Sequence, residues 1–172
     1  MLASLQGIIR STLPMLLRDP STNWKTLDVL YEEPHVERVW TQLGKERIYL
    51  HRIHPCKRAF FHPHPWPSAV VLLTGQYRMD IGFGSALGPP PPIAASLDLK
   101  AGSGYEMLLQ NSWHNVKPYG GPSLSVMLSG QPWVMPVMQH AQKAVNRYLD
   151  DDVKNGIIQE IWDLLSSGGT CG

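Results

Sequence analysis

The chain has 172 residues, 43% hydrophobic and 17% charged, with a formal net charge of +1. That length and composition predict one folded domain with a buried core and exclude a disordered chain. The near-neutral charge leaves no electrostatic footprint for nucleic acid, and no apolar run is long enough to span a bilayer, so neither nucleic acid nor membrane is an expected partner. Residues 1–17 mix Gln6, Arg10, Ser11 and Thr12 into their apolar positions and hold no clean signal-peptide core, which predicts a cytoplasmic protein. The two cysteines, Cys56 and Cys171, are too far apart to form a framework and fit a reducing compartment.

Leu2, Leu5, Ile9, Leu13 and Leu16 recur at helical spacing, so residues 2–17 read as a helix that Pro14 kinks or splits. Asp19-Pro20-Ser21-Thr22-Asn23 reads as a turn, with Ser21 or Thr22 placed to cap a short helical turn after it. The period then changes. Residues 47–53, 60–64, 68–73 and 77–81 read as strands, and Gly75-Gln76 as a hairpin tip between the last two. Residues 82–92 contain four consecutive prolines and read as a loop. Strand pattern resumes at 97–100, 105–109, 114–117 and 123–128. Many short strands between Gly/Pro turns predict an all-β core, a sandwich or barrel. The tail is helical again: Met138, Ala141, Val145 and Leu149 form one apolar stripe, and Ile157, Ile158, Ile161, Trp162 and Leu165 another, ended at Gly168-Gly169. The expected organisation is a single domain over 1–172, with a helical arm over 1–30, a β core over about 40–135 and helices over 136–167.

His62-Pro63-His64 carries the chemistry. Two histidines two apart on an extended chain share a face, and imidazole is the commonest side-chain ligand for first-row transition metals. His114 lies fifty residues on, in Asn111-Ser112-Trp113-His114-Asn115. Brought in from a neighbouring strand, it completes a three-nitrogen face that leaves part of an ion's coordination sphere open, the mark of a catalytic site.

With His62, His64 and Gly75 in register, the middle of the chain resembles the cupins, RmlC-like antiparallel jelly-roll barrels. The cupin pattern places a glutamate after the two histidines, and here that slot is Ser68. The second cupin motif is matched by Gly102-Ser103-Gly104 followed by His114, with Leu109 and Asn111 where proline and glycine usually stand. The His-Pro-His-Pro-Trp stretch also resembles a subgroup of bacterial and phage cupin-like proteins. The resemblance covers roughly residues 45–130 and implies a cupin-type barrel (a double-stranded jelly roll) flanked by N-terminal and C-terminal helices. It implies one divalent metal on His62, His64 and His114, with Fe(II) favoured and Zn, Ni or Mn possible. A neutral three-histidine set leaves the ion its full charge, which favours an anionic chelating substrate. The implied activity is that of a mononuclear non-haem iron dioxygenase acting on a small organic acid, thiol or diketone. Two alternatives stay open: a non-oxidative metal enzyme such as an isomerase or lyase, and a non-catalytic cupin that binds a small molecule. A homodimer is the expected assembly.

Tyr105 and Arg52 are candidate catalytic groups, and Tyr49, Tyr77 and Trp113 candidate substrate contacts; an inward arginine would suit a carboxylate, which its fork binds bidentately. Arg58 reads as a solvated charge. His51 and His54 differ in parity, so at most one faces inward. Glu106, near the glycine turn, is a possible substitute for the absent glutamate. Cys56 sits beside Lys57 and Arg58, and Trp66, between two prolines, reads as a rigid packing element at the mouth.

Overall fold

The computed structural model describes residues 1–29, 34–133 and 147–168. Pro14 divides the N-terminal helical stretch in two: α1 (Leu2–Ser11) ends at Thr12, and the proline occupies the first turn of α2 (Leu13–Arg18), where it has no hydrogen bond to forfeit. Ten strands follow, β1 (Lys25–Val29), β2 (Val36–Leu43), β3 (Glu46–Ile53), β4 (His62–Pro63), β5 (Ser68–Thr74), β6 (Gln76–Phe83), β7 (Ile93–Lys100), β8 (Gly104–Met107), β9 (Ser112–Pro118) and β10 (Ser123–Ser129), and then α3 (Asp151–Ser166).

The strands form a six-stranded sheet, ordered β1-β2-β3-β10-β5-β8, and a four-stranded sheet, ordered β4-β9-β6-β7. All pairings are antiparallel. Among the described residues no strand pairing joins the two sheets, so the β core is a two-sheet jelly-roll sandwich and not a closed barrel. Gly75 is not a hairpin tip. β5 pairs with β10 and β8, whereas β6 pairs with β7 and β9, so the chain changes sheets at this residue. Its φ of +76° suits only glycine, and a Cβ there would meet the Pro122 carbonyl at 2.9 Å.

Two strands, β1 and β2, occupy residues that show no strand pattern in the sequence. Adjacent charges at Glu37 and Arg38 break the alternation of β2, and β1 takes its form from five paired positions along β2. The expected helical stripe over Met138, Ala141 and Val145 lies outside the described residues, and Leu149 falls in an irregular segment before α3.

The alternation of the central strands fixes two faces. Leu124, Val126 and Leu128 of β10, Ile48 and Leu50 of β3, Ala69 and Val71 of β5 and Val39 of β2 form the outer face of the large sheet. Leu5, Ile9, Leu13, Ile157 and Ile161 of the three helices cover it. Truncating one of these fully buried side chains, Leu50→Ala for example, costs about 2–5 kcal/mol. The inner face looks across at the small sheet, where Ile53 and Leu72 pack against Tyr77, Met79 and Val116. Helices and small sheet thus bury the large sheet from both sides, and all seven residues of β10 are buried. No described helix is long and apolar enough to cross a membrane.

Candidate metal centre

His62 and His114 are direct partners across β4 and β9, so their rings leave the same face of the small sheet. His64, two residues on, joins them there. The ring centroids lie 4.9 Å apart for His62 and His114, 4.5 Å for His64 and His114, and 5.5 Å for His62 and His64. One nitrogen from each ring falls within 4.8 Å of the other two. His114 is 5% exposed, whereas His62 and His64 are half-buried, so the cluster opens to solvent on one side.

The segment carrying the pair is clamped. Pro65 and Pro67 carbonyls accept hydrogen bonds from Trp133 at 2.8 Å and Gly130 at 2.9 Å, and the Trp66 ring stacks 6.3 Å from Tyr49. Ring orientation is fixed from behind. His62 Nδ1–H donates to the Phe60 carbonyl at 2.9 Å, which leaves the lone pair on Nε2. His64 Nδ1 lies 3.0 Å from the hydroxyl of fully buried Ser68. With Nδ1–H donating to that hydroxyl, Ser68 turns Nε2 of His64 inward. The residue in the glutamate slot thus contacts a candidate ligand from behind.

His64 Nε2 and His114 Nε2 stand 2.8 Å apart. Two lone pairs cannot face each other at that distance without a proton or a cation to share. Burial, the largest cause, holds His64 and His114 well below the usual imidazole pKa and lowers His62 as well. Mutual repulsion adds to this at His64 and His114, and the positive charge of Arg38 acts on His62 and His64. Neutral imidazoles are what metal ligation requires. Nitrogens sharing one ion at about 2.1 Å stand roughly 3–3.5 Å apart, so the donor set fits a first-row divalent ion with small ring shifts.

Other sequence candidates divide by face. Tyr49 is 3% exposed on the inner face, with Tyr105 and Tyr77 nearby. The Tyr105 ring lies 6.2 Å from His114, and Tyr77 O–H donates to its hydroxyl at 3.4 Å. Burial pushes the Tyr105 phenol up to about 12 and raises Tyr77 well above its ordinary value, so both remain proton donors. Trp113 does not join them. It neighbours His114 in β9 and so points to the opposite face, where its ring packs on Phe61 and its Nε1–H donates to the Gly84 carbonyl. Arg52 also lies elsewhere, on the outer face of the large sheet, bonded to Glu37 at 2.9 Å and to Glu160 of α3 at 2.7 Å. Glu106 bonds the Met1 amino group and the Leu2 amide, anchoring the start of α1, and stands away from the histidines. Arg58 is exposed, and Cys56 is half-buried in the loop before β4.

A second histidine group belongs to the outer face. His35 Nε2 contacts Asp28 at 2.7 Å, and His54 Nε2 contacts Glu37 at 3.2 Å. The two imidazoles stack at 4.6 Å, 9° from parallel. Each of these Nε2 atoms lies beside a carboxylate, and Arg52 pairs with Glu37, so carboxylates already stand against the imidazole nitrogens of this group, which also gathers His35, Glu37 and His54 closely enough to hold an ion.

The sequence did not single out Arg38, and it left open which of His51 and His54 faces inward. Arg38 and His51 are cross-strand partners on β2 and β3, and both face inward. The Arg38 guanidinium lies 5.6 Å over the Tyr49 ring. A signal existed in Ser123-Leu124-Ser125-Val126-Met127-Leu128-Ser129, where small hydroxyls alternate with large apolar side chains. That alternation places room and polar atoms on one face of a buried strand.

No family model matches the chain, and no curated protein does. Among solved structures, the crystal structure of FeII HppE aligns with a TM-score of 0.50 at 11% identity, over 65% of this chain and 58% of that one. AerE from Microcystis aeruginosa aligns with a TM-score of 0.48 at 19% identity, over 74% and 54% of the two chains. An RmlC-like cupin from Shewanella frigidimarina aligns with a TM-score of 0.46 at 10% identity, over 62% and 85%. The chain spans little more than half the length of HppE and AerE. Two facing antiparallel sheets in this strand order, flanked by helices, give the chain a cupin-type fold.

Proposed function

We propose that the chain holds one divalent metal ion on His62, His64 and His114, with Fe(II) favoured over Zn, Ni or Mn, and oxidises a small organic acid, thiol or diketone with dioxygen. One observation carries this: three neutral imidazoles converge within 4.8 Å, two of them oriented from behind by Phe60 and Ser68. A bound ion supplies a Lewis-acidic, redox-active centre for substrate and dioxygen. HppE, which shares the fold, is described in its FeII form.

The chain's own residues do the rest. The half-buried edges of His62 and His64 admit a small molecule from one side. Tyr49 and Tyr105 line the inner face, and the Tyr105 O–H, kept protonated by burial, donates a hydrogen bond to an anionic oxygen of the substrate. Met79, Val116 and Leu72 form an apolar floor that excludes water. This proposal places the protein in the cytoplasm as a homodimer acting on a small molecule, without nucleic acid.

The test is metal analysis after anaerobic purification, followed by oxygen-electrode measurements with candidate acids, thiols and diketones. One iron per chain with substrate-triggered oxygen uptake supports the proposal. Zinc, nickel or manganese with turnover but no oxygen uptake moves it to a non-oxidative isomerase or lyase. A specific observation favours a second reading, a non-catalytic cupin that binds a small molecule: Ser68, His64 and His114 form a continuous hydrogen-bonded chain by themselves. A chain that takes up no metal at all supports that reading.

A further inference from the structure

The inner face of the small sheet continues past the three histidines. Its register runs from His62 to His114, from His114 to Ile81 of β6, and from Ile81 to Ala95 of β7. Directly opposed residues share a face, so this row lies on the face that carries the imidazoles. Phe83 and Leu97, each two residues along from a member of the row, share that face. Deeper in the sandwich the large sheet covers it, and Tyr77 and Met79 are fully buried. Toward the edge the cover stops. Leu97, directly opposite Met79, is 41% exposed, Phe83 is 51% exposed, Ala95 is exposed and Ile81 half-buried. On the other side of the cluster the exposed Phe60 ring stacks 5.5 Å from His62, 3° from parallel. Apolar side chains therefore run from against the candidate ligands to β7, which pairs only with β6 among the described residues. Exposed apolar surface of this kind marks a place where something apolar binds. Two contacts tie it to the histidine cluster: Ile81 lies opposite His114, and Phe60 lies on His62. A molecule held by the cluster has its other end against this strip.

We infer that Ile81, Phe83, Ala95 and Leu97, with Phe60, seat the hydrocarbon tail of the molecule that the three histidines and their ion hold by its head. The strip offers a tail no hydrogen-bonding side chain, and it runs across strands, so an unbranched chain fits it. Neighbouring strands stand about 4.8 Å apart, which puts β7 roughly 10 Å from His114 and sets the length of tail the strip covers. This narrows the substrate to an acid, thiol or diketone that carries an apolar tail. It rests on the proposed function for the ion at the head, and on the sheet register for the seat of the tail.

The experiment is calorimetric titration of the zinc-loaded chain with straight-chain carboxylates from acetate to decanoate and thiols from ethanethiol to decanethiol, with metal content and oligomeric state measured on the same samples. In at least one series, affinity should rise about 2- to 4-fold per methylene, the gain from taking a methylene out of water, and level off once the tail has spanned roughly 10 Å. Leu97→Ser and Phe83→Ser should each weaken the tightest long-chain ligand about 3- to 10-fold more than the shortest member of its series, with zinc content unchanged, and Leu97→Met should bind as wild type does. Both positions are exposed, so these variants fold. Affinity independent of chain length would overturn the inference, as would a chain-length gain that L97S and F83S leave intact, or no binding in either series. A wild-type dimer that L97S or F83S splits, with no gain from longer chains, would overturn it too and give the strip to a second copy. A wild-type chain that takes up no zinc sinks the proposed function instead. The tail seat then stands if decanoate or decanethiol binds the metal-free chain and L97S removes that binding, and falls if neither binds.

Discussion

Two histidine groups stand among the described residues, and the contrast between them separates a site from a strut. On the outer face of the large sheet, the His35 and His54 imidazoles and the Arg52 guanidinium lie 2.7–3.2 Å from carboxylate oxygens of Asp28, Glu37 and Glu160. Between the sheets, His62, His64 and His114 turn neutral nitrogens toward a shared point, with His51, Ser123 and Ser125 unpaired nearby. Both groups bring together residues capable of metal ligation. They differ in what already occupies the donor atoms: carboxylates in the first, and only another imidazole in the second. Residue type alone does not mark a binding site; unspent hydrogen-bonding capacity does.

Substitutions should break this contrast unequally. The largest effect is expected for His64→Ala or His114→Ala, which should lower metal content from one ion per chain to less than about a tenth, measured by plasma mass spectrometry, since two imidazoles hold such an ion weakly. His35→Ala and His54→Ala should leave metal content unchanged. Ser68→Ala comes next. It removes the acceptor behind His64 and should weaken metal affinity by about 10- to 100-fold in a chelator competition.

Arg52→Met should leave metal affinity intact and cost about 1–2 kcal/mol in urea unfolding, because Glu37, 12% exposed, then lacks its closest cation. The smallest effect concerns pH. Burial works to raise the Glu37 pKa, but hydrogen bonds from His54 and Arg52 outweigh it and hold the carboxyl below its ordinary 4.5. The folded chain therefore binds this proton less readily than the unfolded one. The stability Glu37 contributes is fully present above pH 4.5 and is lost as pH falls through the lower folded value. Glu37→Gln should flatten the acid limb of the stability profile in that window, and a profile of unchanged slope would contradict this assignment.

Much of the core site was legible because its determinants are local or periodic. His62 and His64 sit two apart on an extended segment, and the run from Ser68 to Leu73 announces a buried strand. His114 could be matched to them only through the resemblance, since the pairing of β4 with β9 spans some fifty residues and no local pattern encodes it. Arg38 was hidden for a different reason. Its strand carries charges on both faces, Glu37 toward the helices and Arg38 toward the small sheet, so the alternation that marks half-buried strands is erased. Arg52 looked the better inward arginine, but the parity that sends His51 inward sends Arg52 out to Glu160. Trp113 is separated from the site by the same one-residue step from His114. The turn at Gly75 was visible as a turn; that it switches sheets depends on β10, which comes fifty residues later.

The most direct test is anomalous diffraction at the metal edge from crystals grown with Fe(II) under anaerobic conditions, or with Zn. The account predicts a single strong peak about 2.1 Å from one nitrogen of each of His62, His64 and His114, and none beside His35, Glu37 and His54. A peak in the outer group, or none among the inner three at full metal loading, would contradict it.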